Sequence, residues 1–199
     1  MMEVSDKAAA VLMASGFSKR FGKKNKLLLP FRGKPLAGYT LELAASMKFP
    51  GGIFFVTASD DVAGLAHSLS GITVIKNNTP ERGLCESVRL GVEATGSDTA
   101  YYCFFPCDMP FLDANTVQGI LDAGKNGCIV EPRFKGNPGN PCLFSAAFRE
   151  ELLSLNEGET PRLIKERHPD AIIGFEVINP MVLEDIDDEG TLKRLCGRS

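Results

Sequence analysis

The stretch Met13-Ala14-Ser15-Gly16-Phe17-Ser18-Lys19-Arg20-Phe21-Gly22, followed by Lys26-Leu27-Leu28-Leu29-Pro30, puts small residues, two hydroxyls and several cations directly after an apolar run. Ala14, Ser15 and Gly16 let the backbone approach a ligand closely and turn its N–H groups toward anionic oxygen. Ser18 adds a hydroxyl. Arg20 contributes a forked cation and Lys26 a point cation, the pair expected around a polyphosphate. The chemistry implied is the holding of a nucleoside triphosphate.

Three further constellations bear on it. Pro106-Cys107-Asp108-Met109-Pro110 places an acid at the end of an apolar run. A buried carboxylate is costly without a cation. Asp108 therefore holds a divalent metal, pairs with a lysine or caps the following helix. Mg²⁺ suits the first reading, since it takes one or two carboxylates together with phosphates and water. Leu183-Glu184-Asp185-Ile186-Asp187-Asp188-Glu189-Gly190 is either a solvated acidic loop that caps a last helix or the source of a second metal carboxylate, Asp187. Gly83, four residues ahead of Ser87, opens a helix and permits close approach by a ribose or base.

Charge sharpens the first site. From Lys7 to Leu41 there are eight Lys/Arg and no Asp/Glu, in a chain whose net charge is −3. A local basic segment on a mildly acidic protein points to a confined anion site, not to the broad basic face that nucleic acid requires. No apolar run approaches the roughly 20 residues that span a bilayer, and the N-terminus lacks a signal-peptide layout. A cytoplasmic protein is expected, with no membrane partner. Its six cysteines contain no CxxC pair, so buried small residues are expected rather than disulfides or zinc. With two histidines, a His-based metal site or triad is also disfavoured.

The elements that must position these residues alternate along the chain. Strands are expected at Ala8–Ala14, Gly52–Thr57, Ile72–Lys76, Ala100–Pro106, Gly127–Val130, Cys142–Phe144 and Ile172–Val177. Helices are expected at Leu36–Met47, Asp60–Leu69, Gly83–Ala94, Asn115–Ala123, Ala146–Leu155, Thr160–Arg167 and Asp188–Leu195. Pro132–Pro141 reads as a loop. This alternation predicts an α/β fold, a single domain over residues 1–199 with a doubly wound, mostly parallel sheet and helices on both faces. Ligands of such sheets lie at the carboxyl ends of the strands, where the first loop and Asp108 both fall.

Taken together, these motifs resemble the molybdenum cofactor nucleotidyltransferase family, most closely its cytidylyltransferase branch. That family has a loop of the form Leu-Ala-Ala-Gly-x-Ser-x-Arg-Met-Gly with a following Lys-Leu-Leu, matched by Met13–Gly22 and Lys26–Leu28. Its Asp-x-Pro is matched by Asp108-Met109-Pro110. Gly83 and Ser87 match its Gly-x-x-x-Ser helix start, and Asp185-Ile186-Asp187 its late Asp-Ile-Asp. The resemblance implies a Rossmann-like nucleotidyltransferase fold. It implies a nucleotide held by Ala14, Ser15, Gly16, Ser18, Gly83 and Ser87, with Arg20, Lys26 and Asp108 as the catalytic groups. Asp108 and Asp187 would hold Mg²⁺. The implied reaction transfers CMP from CTP to the phosphate of molybdopterin, with a molybdenum hydroxylase as possible client. GTP, another phosphorylated acceptor, or a non-catalytic cofactor carrier are the alternatives. A dehydrogenase is disfavoured, because the first loop is not GxGxxG. The chain departs from the family at Ser15, Phe21, Asn140 (where many relatives have histidine) and Gly158-Glu159-Thr160-Pro161-Arg162.

Overall fold

A computed structural model describes residues 7–16, 21 and 25–196. Its elements in chain order are β1 (Ala8–Ala14), β2 (Pro30–Phe31), β3 (Lys34–Pro35), α1 (Leu36–Ser46), β4 (Ile53–Thr57), α2 (Asp60–Gly64), β5 (Ile72–Lys76) and α3 (Leu84–Ala94). They continue with β6 (Tyr101–Pro106), α4 (Ala114–Asp122), β7 (Ile129–Phe134), β8 (Asn137–Pro138), β9 (Cys142–Ser145), α5 (Arg149–Leu153), α6 (Pro161–Arg167), β10 (Ile172–Glu176) and α7 (Glu189–Cys196).

The main sheet runs β10-β7-β9-β6-β1-β4-β5, with β8 paired to β7. All its long pairings are parallel except those of β9, which is antiparallel to both β6 and β7. The sheet is thus mostly parallel, as expected. Cys142–Phe144 gave no sign of running backwards, because an antiparallel strand buried on both faces is as apolar as a parallel one.

Both faces are covered. Ala8, Ala10, Leu12 and Ala14 of β1 pack with residues of α1, α2 and α4, while Val11 packs with α3, α5 and α6. This is the period-two alternation of a strand between two helical layers. A third cluster joins Phe21, Phe31 and Leu36 to Ile186 and Leu195, so the β2–β3 hairpin receives the C-terminal segment.

Several boundaries differ from expectation. The second helix stops at Gly64 instead of Leu69, its Ser59 side chain accepting from Val62 N. Ala146–Leu155 is a 3₁₀ turn, Ala146–Phe148, followed by the short α5. The strand expected at Gly127–Val130 begins at Ile129 and extends to Phe134, into the segment read as a loop. Pro132 is tolerated there because β9 pairs only as far as Val130, and beyond that point a missing N–H breaks no ladder to it.

Candidate active site

Strand β1 is flanked by β4 on one side and β6 on the other, so the winding of the sheet reverses beside it. A crevice opens where β1 and β6 end, the location such a reversal favours. The cleft measures about 320 Å³. Ala14, Ser15, Gly16, Lys26, Gly83, Ser87 and Asp108 all line it.

The first wall is the end of β1. Thr57 Oγ1 donates to Ala14 O at 3.2 Å and Ser15 Oγ to Val56 O at 3.3 Å, so the turn is pinned to β4. The Ser15 hydroxyl is turned toward that strand, which leaves its backbone as the group offered to a ligand. A Cβ added to Gly16 would meet nothing within 4 Å, consistent with a residue bordering open space.

The opposite wall is the start of α3. Pro80–Arg82 forms a 3₁₀ turn that ends at Gly83, with φ 87° and ψ −157°. This conformation is essentially confined to glycine. It explains why a glycine must stand there. Ser87 is buried and accepts from Asn77 Nδ2 at 3.4 Å, while Asn77 Oδ1 accepts from Thr79 N at 3.0 Å. Beneath the turn, buried Glu86 pairs with Arg82 and Arg89.

The floor carries the charge. Asn25 caps a 3₁₀ turn, Lys26–Leu28, by accepting from Leu27 N, and buried Leu27 anchors it. Lys26 Nζ then lies 2.6 Å from Asp108 Oδ2 and 2.7 Å from Asp187 Oδ1. Burial works against the ammonium, but Asp108 and Asp187 outweigh it and raise the Lys26 pKa above its ordinary value. Asp187 arrives because its neighbour Ile186 is buried in the third core cluster and donates its N–H to Asp108 O at 3.0 Å. Asp108 and Asp187 therefore converge from segments far apart in sequence. Asp185 is pushed up by burial and by the charges of Asp187 and Asp108. Asp188 caps α7 by accepting from Thr191 N at 2.8 Å, so the acidic run supplies both a cap and a site carboxylate.

Asp108 Oδ1 is buried and has no hydrogen-bond partner. An orphaned carboxylate oxygen beside a second converging carboxylate fits a divalent cation. Among the described residues no group of three His, Cys, Asp or Glu converges. Two carboxylates leave positions for phosphate and water, which suits Mg²⁺ better than a closed protein cage.

Residues 10–171 match the family model of the MobA-like NTP transferase domain. The chain belongs to that family. It is 29% identical over 119 residues to a molybdenum cofactor guanylyltransferase of Cupriavidus metallidurans, covering 59% of this chain and 55% of the relative. The chain thus matches little more than half the length of that relative. It is 24% identical over 197 residues to a nicotine blue oxidoreductase of Paenarthrobacter nicotinovorans, covering 93% and 94% of the two chains. A nucleotidyl transferase structure from Methanothermobacter thermautotroptrophicus superimposes with a TM-score of 0.79 at 20% identity, over 94% and 95% of the chains. That likeness supports the nucleotidyltransferase fold.

Within this MobA-like domain, Arg20 and Ser18 lie outside the described residues. Met13, Leu27, Pro80, Leu84, Pro106, Cys107 and Asn140 line the cleft without having been singled out for that role. Asn140 was marked as a departure from the family pattern, and Met13, Leu27, Pro106 and Cys107 stand within the motifs themselves. The others are ordinary apolar or small residues whose proximity depends on the fold. Five cysteines are buried and none is in a disulfide. No helix among the described residues is long and apolar enough to cross a membrane.

Proposed function

We propose that the protein is a nucleotidyltransferase that moves CMP from CTP onto the terminal phosphate of molybdopterin, releasing pyrophosphate and leaving a dinucleotide cofactor. A phosphate oxygen of the acceptor attacks the α-phosphorus. The bond from that phosphorus to the bridging oxygen breaks, and its electron pair leaves with pyrophosphate. The nucleophile is already an anion, so the protein needs no nucleophile and no strong base. It needs charge neutralisation and in-line placement.

The observation that carries this reading is Lys26 bridging Asp108 and Asp187 on the floor of a glycine-walled cleft. Ala14, Ser15 and Gly16 are proposed to hold the phosphates through their backbone. Gly83 and Ser87 are proposed to lie against ribose and base. Arg20, Ser18 and Lys26 are proposed to bind the triphosphate. Asp108 and Asp187 would hold Mg²⁺, which when bound neutralises charge on the transferring and departing phosphates. Lys26 has a second role, keeping the two carboxylates together before substrate arrives.

CTP follows from the resemblance of the motifs as a set to the cytidylyltransferase branch. GTP is the second reading, favoured by the name of the guanylyltransferase relative. A molybdenum hydroxylase is the proposed client. The non-catalytic carrier differs from both in a measurable way. Asp108→Asn should retain nucleotide binding and lose pyrophosphate release. A variant that releases pyrophosphate at the native rate would remove Asp108 from the reaction. Native protein that binds nucleotide and hands over cofactor without any release would establish the carrier instead.

A further inference from the structure

The antiparallel course of β9 decides which of its neighbours reach the cleft. Its first residue, Cys142, pairs with Phe104 of β6, so the segment just before it emerges where β6 ends. A parallel strand would carry that segment to the opposite end of the sheet. Asn140 accordingly lines the cleft together with Pro106, Cys107 and Asp108. Along this edge of the sheet the order is Asn140 ahead of β9, Asp108 after β6, and Ala14, Ser15 and Gly16 at the end of β1.

That order sets a direction. In an in-line displacement the attacking and leaving oxygens lie on opposite sides of the phosphorus. The phosphates of the nucleotide are proposed to rest on the β1 turn, so pyrophosphate departs toward it. The incoming phosphate then arrives from the far side of Asp108, beside Asn140. Two anions meet there, and a donor is needed to hold the second one.

Other polar side chains of the described lining are engaged. Ser15 Oγ donates to Val56 O, and Lys26 Nζ lies on its two carboxylates. Ser87 stands on the α3 wall and accepts from Asn77. Asn140 is exposed, and its Nδ2 donates to no described residue.

The other end of the carboxamide is held. Cys142 Sγ is 3.7 Å from Asn140 Oδ1 and 3.4 Å from Gly139 O. Lys165 Nζ, paired at 2.8 Å with buried Glu131, lies 3.8 Å from the same sulfur. An ammonium only donates, so the sulfur accepts from it and turns its own proton toward the two oxygens. Burial pushes the Cys142 thiol up to about 11, so the proton is retained at neutral pH. The carboxamide oxygen therefore faces the thiol and the amide nitrogen points away from it. Gly139 steadies the segment: its N–H donates to Pro132 O at 2.8 Å, and a Cβ added there would lie 3.0 Å from Leu183 Cδ1.

We infer that Asn140 Nδ2 binds the incoming phosphate of the acceptor and positions it on the side of Asp108 away from the β1 turn. The inference rests on the phosphate acceptor proposed above. A donor fixed before the substrate arrives costs little reorganisation when it does.

Two variants separate this role from mere bracing of the segment. Asn140→Ala removes the whole carboxamide. Asn140→Asp keeps an oxygen for the Cys142 thiol and replaces the donor with an anion. In turnover with molybdopterin, Asn140→Ala should raise the acceptor KM about tenfold, the scale of a hydrogen bond to a charged group, with the CTP KM within about twofold of native. Asn140→Asp should raise the acceptor KM further. A bracing role predicts the reverse order, because the aspartate keeps the contact to Cys142 and the alanine loses it. That reverse order, a native acceptor KM in both variants, or equal rises of the two KM values in Asn140→Ala would overturn the inference.

The second measurement uses inorganic phosphate, titrated onto protein saturated with Mg²⁺ and a non-hydrolysable CTP analogue. Native protein should bind it, and Asn140→Ala should bind it about tenfold more weakly. Equal binding in the two proteins, or none in the native one, contradicts the inference. If the native protein transfers no nucleotide to molybdopterin, the proposed function fails. The phosphate titration then still decides the role of Asn140.

Discussion

Lys26→Met is the perturbation whose consequence follows most fully from the geometry. Lys26 and Asp108 are about equally buried, with side-chain exposures of 15% and 14%, and their charged atoms are 2.6 Å apart. A hydrogen bond to a charged group in such a setting contributes about 1.5–3 kcal/mol. Asp187 is 47% exposed, so its pair with Lys26 is discounted for solvent to about 0.2–1 kcal/mol. The free protein should lose about 2–4 kcal/mol in all, or roughly 4–15 °C in Tm for a chain of this length. The variant also takes from Asp108 and Asp187 the ammonium that bridges them. Mg²⁺ should then stabilise the variant more than the native protein, in which the lysine competes for the same carboxylates. A cation at 100 times its Kd adds about 2.7 kcal/mol. Urea unfolding of both proteins, with and without Mg²⁺, measures all four stabilities. A loss below about 0.5 kcal/mol, or equal stabilisation of both proteins by Mg²⁺, would refute the bridging role. The same variant should bind CTP about ten- to a hundredfold more weakly, measured by calorimetry.

Other outcomes follow from single contacts. Gly83→Ala places a side chain at φ 87°, ψ −157° and should cost about 1–3 kcal/mol, read as lowered thermal stability together with weaker nucleotide binding. Gly91→Ala would set a Cβ 2.2 Å from Val11 Cγ1, where α3 crosses β1, and should cost about 1–3 kcal/mol in urea unfolding. Its CTP affinity should stay within twofold of native, roughly, because the packing contact lies under the helix and not at its cleft end. The Glu86 carboxyl is held below its ordinary value near 4.5, first by the Arg89 hydrogen bond, with burial opposing and Arg82 adding. An acid lowered in the folded state stabilises above its unfolded pKa and loses that contribution as pH falls through the folded value. Glu86→Gln should therefore flatten the fall in urea midpoint below about pH 4.5. An unchanged acid slope would show that Glu86 is not stabilised by its arginines.

How much of this was legible in the sequence depends on distance along the chain. The parallel core was readable because Ala8–Ala14 and Ala100–Pro106 are continuous apolar runs, the pattern of strands covered on both faces. The two carboxylates proposed to hold the metal were readable one at a time. That Lys26 bridges them was not, because it requires Ile186 to be buried and tied to the Asp108 carbonyl. The lysine partner and the helix cap were weighed as explanations of Asp108. The lysine contact is present, and the capping of α4 falls to Asp113, which accepts from Thr116 N at 2.7 Å. The Glu131–Lys165 pair escaped notice although an acid within the apolar Ile129–Pro132 run is itself a signal. Its cation comes from a helix 34 residues later, and only the β7–β9 register and the packing of α6 bring them together.

The most direct test of the central claim is pyrophosphate release by purified protein given Mg²⁺ and molybdopterin, with CTP, GTP and ATP compared in parallel. Release is expected with CTP, with loss of it in excess chelator and in Asp108→Asn. Release with GTP alone would keep the reaction and reverse the choice of base. Measurable nucleotide binding with no release from any of the three would contradict the claim that this cleft transfers nucleotides.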